Sequence, residues 1–164
     1  MKQRLKEAYE EHGAQLLAVC RRYTPNMQTA EDMFQDGFMS AFKAAQSFKG
    51  TSEAELYTWL RTIMVNTCLM RIRKKDILKD AADVAFQAEV PDDDVGYERI
   101  DQQTLIEMIS TLPVSERTVL NLFVFEDLSH KEIAQKLGIT EKASINKMYR
   151  AKAMLAEKIR NYER

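Results

Sequence analysis

At 164 residues, 45% of them hydrophobic and 30% charged, the chain has the length of one domain or two small ones and is far too apolar for a disordered tail. Five glycines, three prolines and little Val-Ile-Thr alternation argue against sandwiches and barrels, and no G-x-G-x-x-G or G-x-x-x-x-G-K-[ST] loop offers a phosphate cradle. The net charge of −1 divides unevenly: residues 1–77 carry +3, residues 78–110 carry −7 and residues 111–164 carry +3. Two mildly basic blocks flank an acidic middle, and each block can neutralise phosphates, because that effect depends on local contacts rather than on total charge. Cys20 and Cys68 form no C-x-x-C, and His12 and His130 have no ligand-spaced partner, so buried thiols in a reducing compartment are expected, with no metal and no cofactor. No leader and no apolar run of about 20 residues is found, which points to a cytoplasmic protein.

In the first block, Leu5, Ala8, Tyr9, His12, Leu16, Val19, Cys20 and Tyr23 recur every three or four residues. They predict an amphipathic helix from Lys2 to about Tyr23, stopped by Thr24-Pro25. Thr29 and Asp32 resemble a capping pair for a second helix through Met33, Phe34, Phe38 and Phe42 to about Ser47. After the loop Phe48-Lys49-Gly50-Thr51, the capping box Ser52-x-x-Glu55 opens a third helix through Leu60, Met64, Cys68 and Ile72. Three helices with tight turns make a small bundle. The third also bears Tyr57, Trp59, Asn66, Arg71, Arg73, Lys74 and Lys75, and aromatic and basic side chains together suit the stacking of exposed bases and the holding of phosphates. Trp59 as plain core remains an equal reading. The Asn66 amide can bond a neighbouring backbone group or read a base edge.

Roughly Leu78 to Glu98, with seven acids, Pro91 and Gly96, reads as a linker. Beyond it, Leu112-Pro113 ends a short helix, Ser115-Glu116 caps another, and Ser129-His130-Lys131-Glu132 is a capping box. Ala134 followed by Gly138, Ile139 and a cap at Thr140 is a helix-turn-helix pattern, the alanine for close helix approach and the glycine for positive φ at the bend. With Met148 set at the inward pole of the last helix, Ser144, Leu155 and Ile159 share its face and Ile145 lies at the margin. Lys142, Ala143, Asn146 and Arg150 fall opposite, flanked by Lys147 and Tyr149. That outward face suits a major groove and its phosphates, or is an ordinary solvated surface.

Taken in order, Thr29 to Phe38, Ser47 to Gly50, Tyr57 to Asn66, Ile72 to Lys75 and Leu112 to Lys152 resemble the extracytoplasmic-function sigma factors of the sigma-70 family over nearly the whole chain. The resemblance implies an all-α protein of two small helical domains. A region 2 bundle (1–77) is joined by an acidic linker (78–100) to a region 4 helix-turn-helix (101–164). It implies core RNA polymerase as partner, with Asp32, Gln35 and Asp36 on the clamp helices of its beta-prime subunit. It implies minus-10 promoter DNA at Phe48, Lys49, Trp59, Arg61, Asn66, Arg71, Arg73, Lys74 and Lys75. Minus-35 DNA would lie at Lys142, Ala143, Asn146, Lys147, Tyr149 and Arg150. An anti-sigma factor is a common further partner in the family, and no membrane is. Where the family often has Gly-Thr and then a base, this chain has Lys142-Ala143-Ser144-Ile145. No clustered His, Cys or paired carboxylates point to catalysis. The rival reading is a two-domain helix-turn-helix regulator that binds an operator without polymerase.

Overall fold

The computed structural model describes residues 1–72 and 97–163, and the chain divides into two units, residues 1–71 and 72–164. Arg73, Lys74, Lys75 and nearly all of the expected linker lie outside the described residues. The described residues form seven α-helices and no strand, in keeping with the expected all-α class.

The first unit contains α1 (Lys2–Arg21), α2 (Met27–Lys43) and α3 (Glu53–Arg71). Helix α2 starts two residues before the Thr29–Asp32 pair, because the Asn26 side chain accepts the Thr29 backbone N–H at 2.9 Å and serves as the cap instead. A 3-10 turn at Ala45–Ser47 makes up the remainder of the expected second helix. Ser52 caps α3 as expected, its hydroxyl accepting the Glu55 N–H at 3.1 Å and donating to the Glu55 carboxylate. Leu5, Leu16, Val19, Phe34, Phe38, Leu56, Leu60 and Met64 fill the core. Tyr9 and Phe42 were expected there and are instead 42% and 44% exposed; the Tyr9 ring rests at the core edge against Phe34 and Phe38, centroids 5.4 and 5.0 Å away. Cys20 and Cys68 are free and buried; the hydrogen bond between them, then burial, pushes the Cys68 thiol up. At Gly37 a Cβ would meet Met64 Sδ at 2.4 Å, so the Met64 thioether of α3 occupies the space that a side chain at this position of α2 would need.

The second unit contains α4 (Gln102–Ser110), α5 (Val114–Leu120), α6 (His130–Leu137) and α7 (Glu141–Glu163). Asp101 caps α4 by accepting from the Thr104 backbone and hydroxyl at 2.9 and 2.8 Å. The Arg117 guanidinium donates to the Ser110 and Leu112 carbonyls, at 3.1 and 3.0 Å, at the other end of α4, where a cation also meets the negative pole of the helix. Pro113, and not Ser115, stands at the N-cap of α5. A π-helical segment, Asn121–Phe125, extends α5, and the buried Asn121 amide donates to the Arg117 carbonyl at 2.8 Å. The capping box at Ser129 and Glu132 is complete, and Gly138 ends α6 with φ 70°. Thr140 Oγ1 then accepts from Ala143 N–H at 3.0 Å and opens α7. The helix-turn-helix expected from Ala134, Gly138 and Thr140 is therefore present.

Candidate nucleic-acid and polymerase interfaces

On α2 the residues spaced i, i+3, i+7, i+10 away from the core are Asp32, Gln35, Met39 and Phe42, all exposed. The Gln35 amide donates to Tyr9 Oη at 3.3 Å. Asp36, at the border of this face, is ion-paired with Arg71 of α3. That pairing raises the Arg71 pKa above its ordinary value. It also joins a residue expected on polymerase to one expected on DNA.

Phe48 and Trp59 come together across the loop before α3, ring centroids 5.2 Å apart and planes tilted by 45°. Their rings form part of the wall of an open cavity of about 510 Å³ lined also by Lys49, Gly50, Glu55 and Thr58. Gly50 is required by close approach: a Cβ there would lie 2.6 Å from the Phe48 ring and 2.5 Å from the Glu55 carboxylate. Arg4 of α1, which no motif in the sequence singles out, sits 5.6 Å from the Phe48 centroid and pairs with Glu53 at 3.2 Å. No local pattern signals a contact across 44 residues.

Trp59, Thr62, Ile63, Asn66 and Met70 fall on one side of α3 at about 100° per residue; Asn66 is exposed, Trp59 partly so, and Met70 is 86% exposed. Arg61 stands roughly 200° from Trp59 and is half-buried. The structure thus does not bring Arg61 onto the stripe of Trp59 and Asn66, and Arg71 is likewise turned toward α2. Charge in the sequence is shared among all faces of a helix, and only packing decides which faces remain outside.

On α7 the structure corrects the expected outward face. Lys147 is 1% exposed and Ala143 7%. The Lys147 ammonium donates to Ser115 Oγ at 3.2 Å, that hydroxyl donates to Glu116 Oε2 at 2.9 Å, and Arg150 donates to Glu116 Oε1 at 3.3 Å. Glu116 is itself 1% exposed, so this buried polar chain fastens α7 to α5. A buried carboxylate needs charge and hydrogen-bond partners, and the cations that the sequence offered to phosphates meet that need. The true inward pole lies between Lys147 and Met148 and beyond, roughly 50° from the assumed one. Lys142 and Tyr149 are exposed, and Asn146 and Ile145 half-exposed; Ile145, expected beside the core, therefore shares the outward face.

Helix α6 holds α7 from its other flank. His130 Nδ1 lies 2.8 Å from Ser144 Oγ, and its ring stacks on Phe123 at 4.6 Å with planes 16° apart. Burial, reinforced by Lys152 and opposed by Glu141, lowers the His130 pKa below its ordinary value. Among the described residues no group of three His, Cys, Asp or Glu can hold a metal ion, and no helix is long and apolar enough to cross a membrane.

Comparison with known proteins agrees with this two-part arrangement. The profile of Sigma-70 region 2 matches residues 8–77 and that of Sigma-70 region 4 matches residues 102–155. The chain is 27% identical over 155 residues to the ECF RNA polymerase sigma factor SigM of Mycobacterium tuberculosis, covering 92% of this chain and 74% of that protein. It is 28% identical to the RNA polymerase sigma-H factor of Pseudomonas aeruginosa (84% and 76% covered) and to the RNA polymerase sigma factor YlaC of Bacillus subtilis (82% and 79%). A solved structure with the same fold is the sigma factor RpoE of Bartonella quintana in complex with the anti-sigma factor NepR, at TM-score 0.54 and 23% identity, covering 94% of this chain and 96% of that one.

Proposed function

The chain belongs to the extracytoplasmic-function class of the sigma-70 family, and from that premise we propose how its residues divide the work of starting transcription. It is an RNA polymerase sigma factor: it binds core polymerase, recognises the minus-10 and minus-35 promoter elements and initiates DNA-templated transcription. Sigma factors are non-catalytic initiation factors, and in this reading the polymerase makes the bonds while this chain positions it in the cytoplasm.

Residues 1–77 serve as region 2 and residues 101–164 as region 4, joined by the acidic residues 78–100. The face of α2 with Asp32, Gln35 and Asp36 docks on the beta-prime clamp helices. Phe48, Lys49, Trp59 and Asn66 take the minus-10 element. The observation that carries this assignment is the meeting of Phe48, Lys49 and Trp59 around one open cavity beside the exposed Asn66 stripe. Unstacking a base costs a few kcal/mol, and stacking returns about 1–3 kcal/mol per base. Lys142, Asn146 and Tyr149 enter the minus-35 groove. Arg61 and Arg71 act from the flanks of α3, on phosphates rather than on the base held by Trp59. Partner surfaces of this kind are also where an anti-sigma protein competes. The rival regulator reading is not favoured, because the first unit matches sigma-70 region 2 over 8–77.

Run-off transcription with core polymerase tests the division of labour. Trp59→Ala and Asn66→Ala are expected to reduce open-complex formation at least tenfold with core binding unchanged. Unchanged opening in both variants would overturn the minus-10 assignment.

A further inference from the structure

Once Lys147 and Arg150 are engaged by Ser115 and Glu116, the outward face of α7 has an unusual composition for a phosphate-rich target. Its first three turns present Lys142, Ile145, Asn146 and Tyr149, and of the described residues on that face none in these turns is arginine. Guanine is read in the major groove chiefly by a cation placed against O6 and N7, whereas adenine suits the amide of Asn or Gln and thymine offers an apolar methyl. Ile145 can make neither a phosphate contact nor a hydrogen bond to a base. Its half-exposed side chain lies three residues from Lys142 and four from Tyr149, so the three share one surface, and Asn146 is adjacent. Water is a poor partner for a β-branched apolar side chain on such a surface, and a base methyl is a good one.

We propose that Ile145 is a specificity-determining residue of this sigma factor and packs on the C5-methyl of a thymine in the minus-35 element, with Asn146 addressing an adenine of the same or the next base pair. The assignment deepens the minus-35 reading above and depends on it. It makes the element recognised by this helix rich in A·T at the position under Ile145, where a basic residue would instead favour guanine or the backbone.

The experiment uses the chain reconstituted with core polymerase and a promoter library randomised across the minus-35 element. Bound promoters are expected to be enriched in T·A at one or more positions. Each enriched thymine is then replaced by deoxyuridine, which removes only the methyl. At one such position the wild-type holoenzyme should bind about fourfold more weakly, the transfer free energy of one methyl group. Ile145→Ala should be indifferent to the replacement while Ile145→Val retains part of it. Enrichment of thymine without any deoxyuridine effect, or an Ile145→Ala holoenzyme as sensitive as wild type, overturns the role of Ile145 alone. A library from which no base is enriched overturns the minus-35 reading and this assignment with it. The deoxyuridine measurement on the unaltered protein does not depend on whether either variant folds.

Discussion

Arg71 near the end of α3 and Asp36 in the middle of α2 form an ion pair, so the residue assigned to DNA and the residue assigned to polymerase hold each other in the free chain. Both side chains are partly solvated, 39% and 48% exposed, and pairs of this kind contribute about 0.2–1 kcal/mol. A double-mutant cycle with Asp36→Ala and Arg71→Ala should therefore give a coupling below about 1 kcal/mol by urea unfolding. Asp36→Lys should weaken core binding severalfold with the fold intact. Core affinity unchanged by the reversal would count against the docking face.

Lys147 behaves as a core residue, whereas the exposed Lys142 is proposed as a phosphate ligand. Removing one member of a buried charged set costs about 3 kcal/mol or more, so Lys147→Ala should lower the unfolding free energy of the second unit by that amount. Lys147→Met should lower it less, since methionine refills the volume. In promoter binding the pattern reverses: Lys142→Ala should reduce the slope of log affinity against log salt by about one phosphate contact, and Lys147→Met should leave it unchanged. Equal salt slopes for the two variants would contradict the corrected face.

Among the described residues two stand in the left-handed backbone region, Gly138 at φ 70° and Asp127 at φ 57°. For an L residue that conformation costs about 1–2 kcal/mol. Gly138→Ala should destabilise the second unit by that amount, and Asp127→Gly should cause no loss. Thermal unfolding of the two variants distinguishes them, and an Asp127→Gly variant as damaged as Gly138→Ala would mean the turn is held by the Asp127 side chain instead.

The lowered pKa of His130 has a definite sign. The unfolded chain takes up this proton more readily than the folded one, so the contribution of His130 is intact above its unfolded pKa of about 6.5. It is lost as pH falls from there through the lower folded value. Asp101 and Glu132, both lowered by hydrogen bonds at helix N-termini, lose their contributions only at lower pH, from about 4 downward. Unfolding midpoints between roughly pH 7 and 5 should decline for the wild type and stay nearly flat for His130→Gln. The same decline in both would assign it to another group.

Trp59 is the only tryptophan of the chain, and its ring contact with Phe48 makes it a reporter of the loop. Because a Cβ at Gly50 would collide with the Phe48 ring and the Glu55 carboxylate, Gly50→Ala should move Phe48 away and shift Trp59 emission to the red in the free chain. Open-complex formation by the reconstituted holoenzyme should fall at the same time. An unchanged emission spectrum would show that the loop absorbs the methyl without disturbing the cavity.

Much of this was legible beforehand in residue spacing. Apolar recurrence at three and four residues located α1 and α3, and side-chain chemistry located the caps at Ser52, Ser129 and Thr140, because a cap is settled within four residues of chain. The same locality explains the errors: Asn26 and Thr29 are both competent cap residues, and Ser115 looks like a cap but is a buried link between Glu116 and Lys147.

The sequence by itself determined the helical class, the two basic blocks around an acidic middle, the turn at Gly138 and the place of Lys142, Asn146 and Tyr149 on or beside the outward face of the last helix. Each follows from intervals of a few residues. Tertiary structure alone decided the use of each cation: Lys147 is drawn to Ser115, Arg150 to Glu116 and Arg71 to Asp36, across 32 to 35 positions of chain. A basic residue is equally suited to a phosphate and to a carboxylate. Which one it meets depends on whether a neighbouring helix has buried an acid within reach, and spacing along one helix carries no information about that.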